Sequence, residues 1–248
     1  MKSMKADLVV IGAGSGGLST ASGAAQLGLK VVLFEKGEMG GDCLNTGCVP
    51  SKALIAAGKR AHQMRTAEKF GIASVAPHVQ WANVRAHIDG VIAAIAPIDS
   101  QERFEGLGCI VVREHARFVG PRTVQSDSVR VEARRIVVAA GGRAAIPAIE
   151  GIGDVPVLTN ETIFHLQEFP AHLLILGAGP IGVELGQAFA RLGARVTIVE
   201  PATPLARFDP ELAQAALAGV QEDGVTLLAG ARPTRVAKTP TGVALTLH

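Results

Sequence analysis

The chain has 248 residues, 48% hydrophobic and 19% charged, and its mixed charges leave a net +2. That is enough chain for one large or two small buried cores, and the charge balance argues against a nucleic-acid or anionic-membrane partner. Three cysteines in this length exclude a secreted disulfide scaffold and fit a reducing, cytoplasmic setting.

Residues 1–11, MKSMKADLVVI, have early lysines and then an apolar run, as a signal peptide would. Asp7 interrupts it, and residues 7–11 read as a first strand with no targeting segment. The longest apolar run, residues 91–98, falls far short of the ~18 residues a membrane span needs. Gly12-Ala-Gly14-Ser15-Gly16-Gly17 follows the strand at once. Residues 18–29 then read as an Ala-rich helix, residues 31–34 as a second strand, and Glu35 closes it. In a strand–GxGxxG–helix unit Gly12 permits the tight turn, Gly14 lets the backbone approach a pyrophosphate, and Gly17 lets helix pack on strand. The phosphate sits at the helix N-terminus, and Glu35 is placed to accept from ribose hydroxyls.

Residues 52–65 read as a helix. Residues 81–107 carry apolar side chains at helical spacing (Val84, Ile88, Val91, Ile92, Ile95) and predict one long helix or two, with Pro97 starting a turn. From Cys109 to Val138 the pattern is short strands, with turns at Gly120-Pro121 and near Asp127. Arg130, Arg134 and Arg135, broken by Glu132, read as a solvated strand edge. Residues 136–140 are apolar and end in Gly141-Gly142, and residues 146–170 are Pro-containing and read as a connector. The first pattern then recurs. Residues 173–176 are apolar, Gly177-Ala-Gly179-Pro180-Ile181-Gly182 follows, residues 183–192 are helical in character, residues 195–199 are a strand, and Glu200 ends it. The third glycine precedes the acid by 18 residues in both units. Two such units imply two dinucleotide ligands. Glu200 favours NAD over NADP, because a carboxylate accepts from a 2′-OH and repels a 2′-phosphate; Arg207 softens that preference. Residues 243–247 alternate as a final strand.

Cys43 and Cys48 lie five apart in GGDCLNTGCVPSK (residues 40–52). A zinc site wants four ligands, and no second pair accompanies them. A structural disulfide and two unrelated buried thiols remain as alternatives. A redox pair accounts for more: the cysteines follow a nucleotide unit, sit at a helix start and precede Lys52, and a helix N-terminus and a cation both favour thiolate. Cys109 falls in an apolar strand and reads as core.

The stretch Gly40-Gly41-Asp42-Cys43-Leu-Asn-Thr-Gly-Cys48-Val-Pro50-Ser-Lys52 resembles the active-site motif of the flavin-dependent pyridine nucleotide–disulfide oxidoreductases, the family of dihydrolipoyl dehydrogenase, glutathione reductase and mercuric reductase. The resemblance covers the whole chain. It implies that Gly12, Gly14, Ser15, Gly16, Gly17, Glu35, Lys36, Gly41, Asp42 and Lys52 hold FAD. It also places the backbone of His115-Ala116 at the adenine and makes Ala140-Gly141-Gly142 a second FAD segment, with alanine where the family usually has threonine. Gly177, Gly179, Pro180, Ile181, Gly182, Glu184 and Glu200 then hold NAD(P)H, with NADH favoured. By the same resemblance, reduced nicotinamide passes hydride to the flavin, which reduces a Cys43–Cys48 disulfide. Cys48 is the charge-transfer thiolate, Cys43 the interchange thiol, and Lys52 sits by the flavin with Glu184 as its partner.

The expected fold is α/β: two Rossmann-like FAD/NAD(P)-binding domains, the second incomplete, with a small antiparallel β segment between them. Residues 1–150 are assigned to the FAD domain with the cysteine pair, 151–170 to a connector and 171–248 to the NAD(P) domain. The family's later Gly-Asp motif and its C-terminal dimerisation domain with a His–Glu pair have no counterpart in this sequence. The chain therefore reads as an N-terminal part that on its own holds FAD weakly or not at all and does not turn over. The implied function is electron transfer between NAD(P)H, FAD and a small disulfide or dithiol, most like dihydrolipoyl dehydrogenase, in a homodimer when full length, with no resident metal. The alternatives are mercuric-reductase-like Hg(II) reduction, a non-catalytic nucleotide-binding fragment, and a flavin enzyme without a disulfide.

Overall fold

The computed structural model describes Met1–His248. Two compact units can be distinguished: Met1–Pro50 with Asp89–Ala144, and Ser51–Ile88 with Ala145–His248.

In chain order the elements are β1 (Lys2–Ile11), α1 (Ser15–Gln26), β2 (Val31–Phe34), α2 (Gly41–Asn45), α3 (Cys48–Arg65), α4 (Trp81–Ile95), α5 (Gln101–Gly106), β3 (Ile110–Val112), β4 (Arg117–Gly120), β5 (Thr123–Gln125), β6 (Val129–Val138), β7 (His172–Leu176), α6 (Pro180–Leu192), β8 (Arg195–Glu200), α7 (Pro210–Glu222), β9 (Thr226–Ala229), β10 (Pro233–Thr239) and β11 (Gly242–Leu247).

The first unit is a six-stranded sheet in the order β3-β2-β1-β6-β5-β4. β3, β2, β1 and β6 are parallel, and β5 and β4 continue the sheet as an antiparallel hairpin. The short strands are β-branched because both faces are covered. Val10, Leu33 and Val31 pack with Leu18, Ala21 and Phe104 on one side, and Val9, Val32 and Phe34 with Val124 and Val131 on the other.

Two sequence expectations need correction here. β1 begins at Lys2 rather than Asp7, because Lys2–Ala6 pair with Val129–Ala133 of a ten-residue β6. And β6 lies between β1 and β5, so Arg130, Glu132 and Arg134 are the solvent face of an interior strand, not an edge. Arg134 reaches Asp7 at 3.5 Å. The turn between β5 and β6 is held by Glu114, whose Oε2 accepts from Ser128 N–H at 3.0 Å. Hydrogen bonds from the Ser126 and Ser128 hydroxyls and from Ser128 N–H hold its carboxyl down to about 2, against an ordinary 4.5. A depressed carboxyl pKa adds stability that is full above the ordinary value and disappears as pH falls through about 2.

Helix boundaries also move. The stretch 81–107 becomes α4, a 3₁₀ turn at Ala96–Asp99 and α5, whose Ser100 side chain accepts from Arg103 N–H as an N-cap. α1 and α3 start three and four residues before the positions expected, at Ser15 and Cys48.

The second unit has a parallel sheet, β7-β8-β9, and a β10–β11 antiparallel pair. Pro180 opens α6 and Gly193, at φ 112°, closes it. Trp81, Phe169 and Phe189 cluster with ring centroids 5.3–5.9 Å apart, and Trp81 Nε1 donates to Leu166 O at 2.8 Å. Within this unit α3 lies along α6. Gly58 leaves room for Ala188 O, where a Cβ would come within 3.0 Å, and Arg65 donates to Arg191 O. Asp223, with its side chain only 5% exposed, accepts from His62 Nδ1 (2.8 Å), Arg191 Nε (2.8 Å) and Gln187 Nε2 (2.7 Å), tying α3, α6 and the end of α7 together. No helix is long and apolar enough to cross a membrane.

Candidate functional site: two nucleotide cradles and a cysteine pair

The two glycine motifs fold into cradles with matching hydrogen bonds at positions 165 residues apart. Gly12 N–H donates to Phe34 O and Gly177 N–H to Val199 O, each at 2.8 Å. Glu35 Oε2 accepts from Ala13 N at 2.6 Å and Glu200 Oε2 from Ala178 N at 2.9 Å. Their Oε1 atoms accept from Gly37 N (2.7 Å) and Ala202 N (2.8 Å). Each acid is thus clasped by two backbone amides and turned into its cradle, and each oxygen keeps lone-pair capacity for a further donor. Gly40 N–H and Leu205 N–H close the pattern on Ala13 O (2.9 Å) and Ala178 O (3.0 Å). Leu205, at φ 51°, is the one non-glycine residue with positive φ and takes the place of Gly40, at φ 87°.

The glycines divide by what demands them. A side chain on Gly17 or Gly182 would collide with Gly12 O or Gly177 O, so these two serve helix–strand packing. Gly12 has φ 106°, and a Cβ there would strike Ala139. Gly14 and Gly179 are different. Their φ values are −85° and −77°, open to any residue. A Cβ on Gly14 would meet nothing nearer than Gly41 Cα at 3.7 Å, and one on Gly179 nothing within 4 Å. The protein does not need glycine at either position, but a pyrophosphate laid on the helix N-terminus does. Both cradles therefore fit a dinucleotide.

The first cradle also gathers Gly41, packed on Gly14, the 139–142 segment against Gly12, and Asp42, whose Oδ2 is 3.9 Å from a Cβ built on Gly141. Ser15 opens α1, and Gly16 and Gly142 face open space. Lys36 and His115 are exposed beyond β2 and β3, and Ala116 packs on the core. In the second cradle Pro180 and an exposed Ile181 form the first turn of α6. Glu184 Oε2 pairs with Lys52 Nζ at 2.7 Å.

Cys43 lies in α2 and Cys48 opens α3; the first is half-buried and the second exposed. Asn45 Nδ2 donates to Met39 O and Gly41 O, and Gly47 lets the turn close on Asp42 O. Cys109 is buried, its thiol pushed up by desolvation and directed at Ala21 O. The sequence reading missed Gly47, whose only signal is its place between the cysteines, and Asp223, which carries none.

Residues 6–248 match the family described as pyridine nucleotide-disulphide oxidoreductase, and the chain belongs to that family. It is 32% identical to a mercuric reductase of Lysinibacillus sphaericus over 93% of this chain and 42% of the relative. It is 39% identical to dihydrolipoyl dehydrogenase 2 of Haloarcula marismortui over 78% of this chain and 42% of the relative. Among solved structures, the HOCl-induced flavoprotein disulfide reductase RclA of Escherichia coli superposes with a TM-score of 0.82 at 26% identity, over 98% of this chain and 53% of that one. The chain thus spans about half the length of the proteins it matches. The α/β fold with Rossmann-like units expected from the sequence is the fold found.

Proposed function

We propose that this chain is the nucleotide- and dithiol-bearing part of a flavoprotein disulfide oxidoreductase that takes electrons from NADH and delivers them to a small disulfide, as a dihydrolipoyl-dehydrogenase-like enzyme run in that direction. The observation that carries it is the pair of cradles whose second glycines are required by nothing inside the protein, accompanied by an accessible Cys43/Cys48 pair. Residues 1–150 are assigned to FAD and 171–248 to the pyridine nucleotide, joined by a 151–170 connector. Bound FAD supplies a two-electron carrier between the pyridine nucleotide and the cysteines.

The chain's own residues do the rest. The N-termini of α1 and α6 hold the two pyrophosphates. Glu35 and Glu200 orient the riboses, and Glu200 disfavours a 2′-phosphate, hence NADH over NADPH. Lys52, paired with Glu184, supplies a fixed positive charge. In exchange, the Cys43 thiolate attacks the substrate disulfide and releases one thiol. The Cys48 thiolate then attacks the mixed disulfide, releases the second, and leaves Cys43–Cys48 oxidised. A reducing, cytoplasmic compartment suits this couple. A second reading, favoured by the mercuric reductases among the relatives and by the exposure of Cys48, gives the two thiolates Hg(II) as a two-electron substrate.

Gly14→Ala and Gly179→Ala test the cradles. Each alanine fits the fold, so unfolding is expected to shift little. FAD binding to the first variant and NADH binding to the second fall by about tenfold or more. Unchanged affinities in both variants would remove this function.

A further inference from the structure

We propose that Arg113 is a positioning residue for the dinucleotide of the first cradle, one that makes it a retained rather than an exchanging ligand. The inference rests on the FAD reading of that cradle.

The acids of the two cradles stand at equivalent points, and their neighbouring strands differ. Glu200 lies opposite Ala229 in the β8–β9 register. Continuing the β2–β3 register, Phe34 opposite Val112, puts Arg113 opposite Glu35, and Glu35 N–H donates to Val112 O at 3.0 Å. From there the Arg113 guanidinium donates to Gly37 O at 2.5 Å and lies 3.8 Å from Glu38 Oε2. Gly37 is the residue whose N–H holds Glu35 Oε1. A continuous relay therefore runs from Arg113 through Gly37 to Glu35 and on to Ala13 N at the glycine turn.

This relay fixes the 35–38 loop, with Lys36 on it, in the conformation that clasps the acid. The Ala229 side chain carries no donor, so no side-chain latch of this kind holds the 200–202 loop of the second cradle. A second difference has the same sense. Gly41 packs on Gly14 in the first cradle, whereas nothing stands within 4 Å of a Cβ built on Gly179. One cradle is latched, and the other has no such latch. A loop that must unlatch before a ribose leaves slows release, and one that needs no unlatching lets its nucleotide exchange.

Arg113→Met and Arg113→Lys test this. Arg113 has a side chain 38% exposed, so both variants are expected to fold. In the chain as it stands, without FAD, hydrogen exchange at Gly37 N–H is expected to speed up about three- to tenfold in Arg113→Met, with strand amides of β1 and β2 unchanged. Arg113→Lys, which keeps a cationic donor, restores part of the protection. With FAD added, release from Arg113→Met is faster by a similar factor, and NADH affinity at the second cradle does not move. Gly37 exchange equal to wild type in Arg113→Met overturns the inference whether or not FAD binds. A Gly37 that responds while Gly14→Ala leaves FAD affinity unchanged would instead count against the FAD reading.

Discussion

Cys48→Ser is expected to stop the protein at a mixed disulfide. Cys43 remains and can attack a small disulfide once, but a serine hydroxyl neither forms a thiolate nor closes a disulfide, so the second displacement has no nucleophile. In a single pass of the pre-reduced protein, release of the second substrate thiol should fall about 10³-fold or more, and one substrate half should stay on Cys43, visible as a mass increase at that residue alone. Cys48 is exposed at the first position of α3, so the change removes little packing and the unfolding midpoint should hold. Cys43→Ser separates the roles: the first attack is lost and no stable adduct accumulates. Cys109 is an internal control. Buried and with its thiol pushed up by desolvation, it should stay unlabelled in the native protein. A Cys48→Ser variant that still releases both substrate thiols in that single pass would mean that the pair does not act as a couple.

Asp223→Ala is expected to cost about 3 kcal/mol of stability. The carboxylate is 5% exposed and gathers three donors from two helices. Deleting it leaves Arg191 Nε, His62 Nδ1 and Gln187 Nε2 without their acceptor. The Arg191 and His62 side chains are 21% and 33% exposed, so water recovers part of the loss and the figure sits at the low end for a broken buried pair. Asp223→Asn keeps an acceptor oxygen and should lose roughly half as much. Urea unfolding with an unchanged m-value checks both. A loss below about 0.5 kcal/mol for the alanine variant would show that the cluster is incidental.

The cradles were legible in the sequence because their logic is local. A β-branched run, three glycines, a helix and an acid 18 residues on are all the contacts that matter, and Gly17 and Gly182 meet their carbonyls within the motif itself. The start of α1 was not, because Gly16 and Gly17 have poor helix propensity and packing on the sheet overrides it. The first half of β1 was hidden for a similar reason. Met4 and Ala6 alternate with Ser3, Lys5 and Asp7, a weak strand signal that a ten-residue neighbour completes. The position of β6 inside the sheet depends on strand order, which its arginines do not encode. Arg113 and Asp223 were invisible because each acts across elements far apart in the chain, and neither belongs to a motif.

The most direct measurement is differential alkylation of the FAD-reconstituted protein, oxidised and then after anaerobic NADH, read residue by residue by mass spectrometry. The account predicts that Cys43 and Cys48 are both protected before NADH, joined in one peptide, and both labelled after it, with Cys109 labelled only on unfolding. Flavin that is reduced by NADH while the labelling of Cys43 and Cys48 stays the same would contradict it.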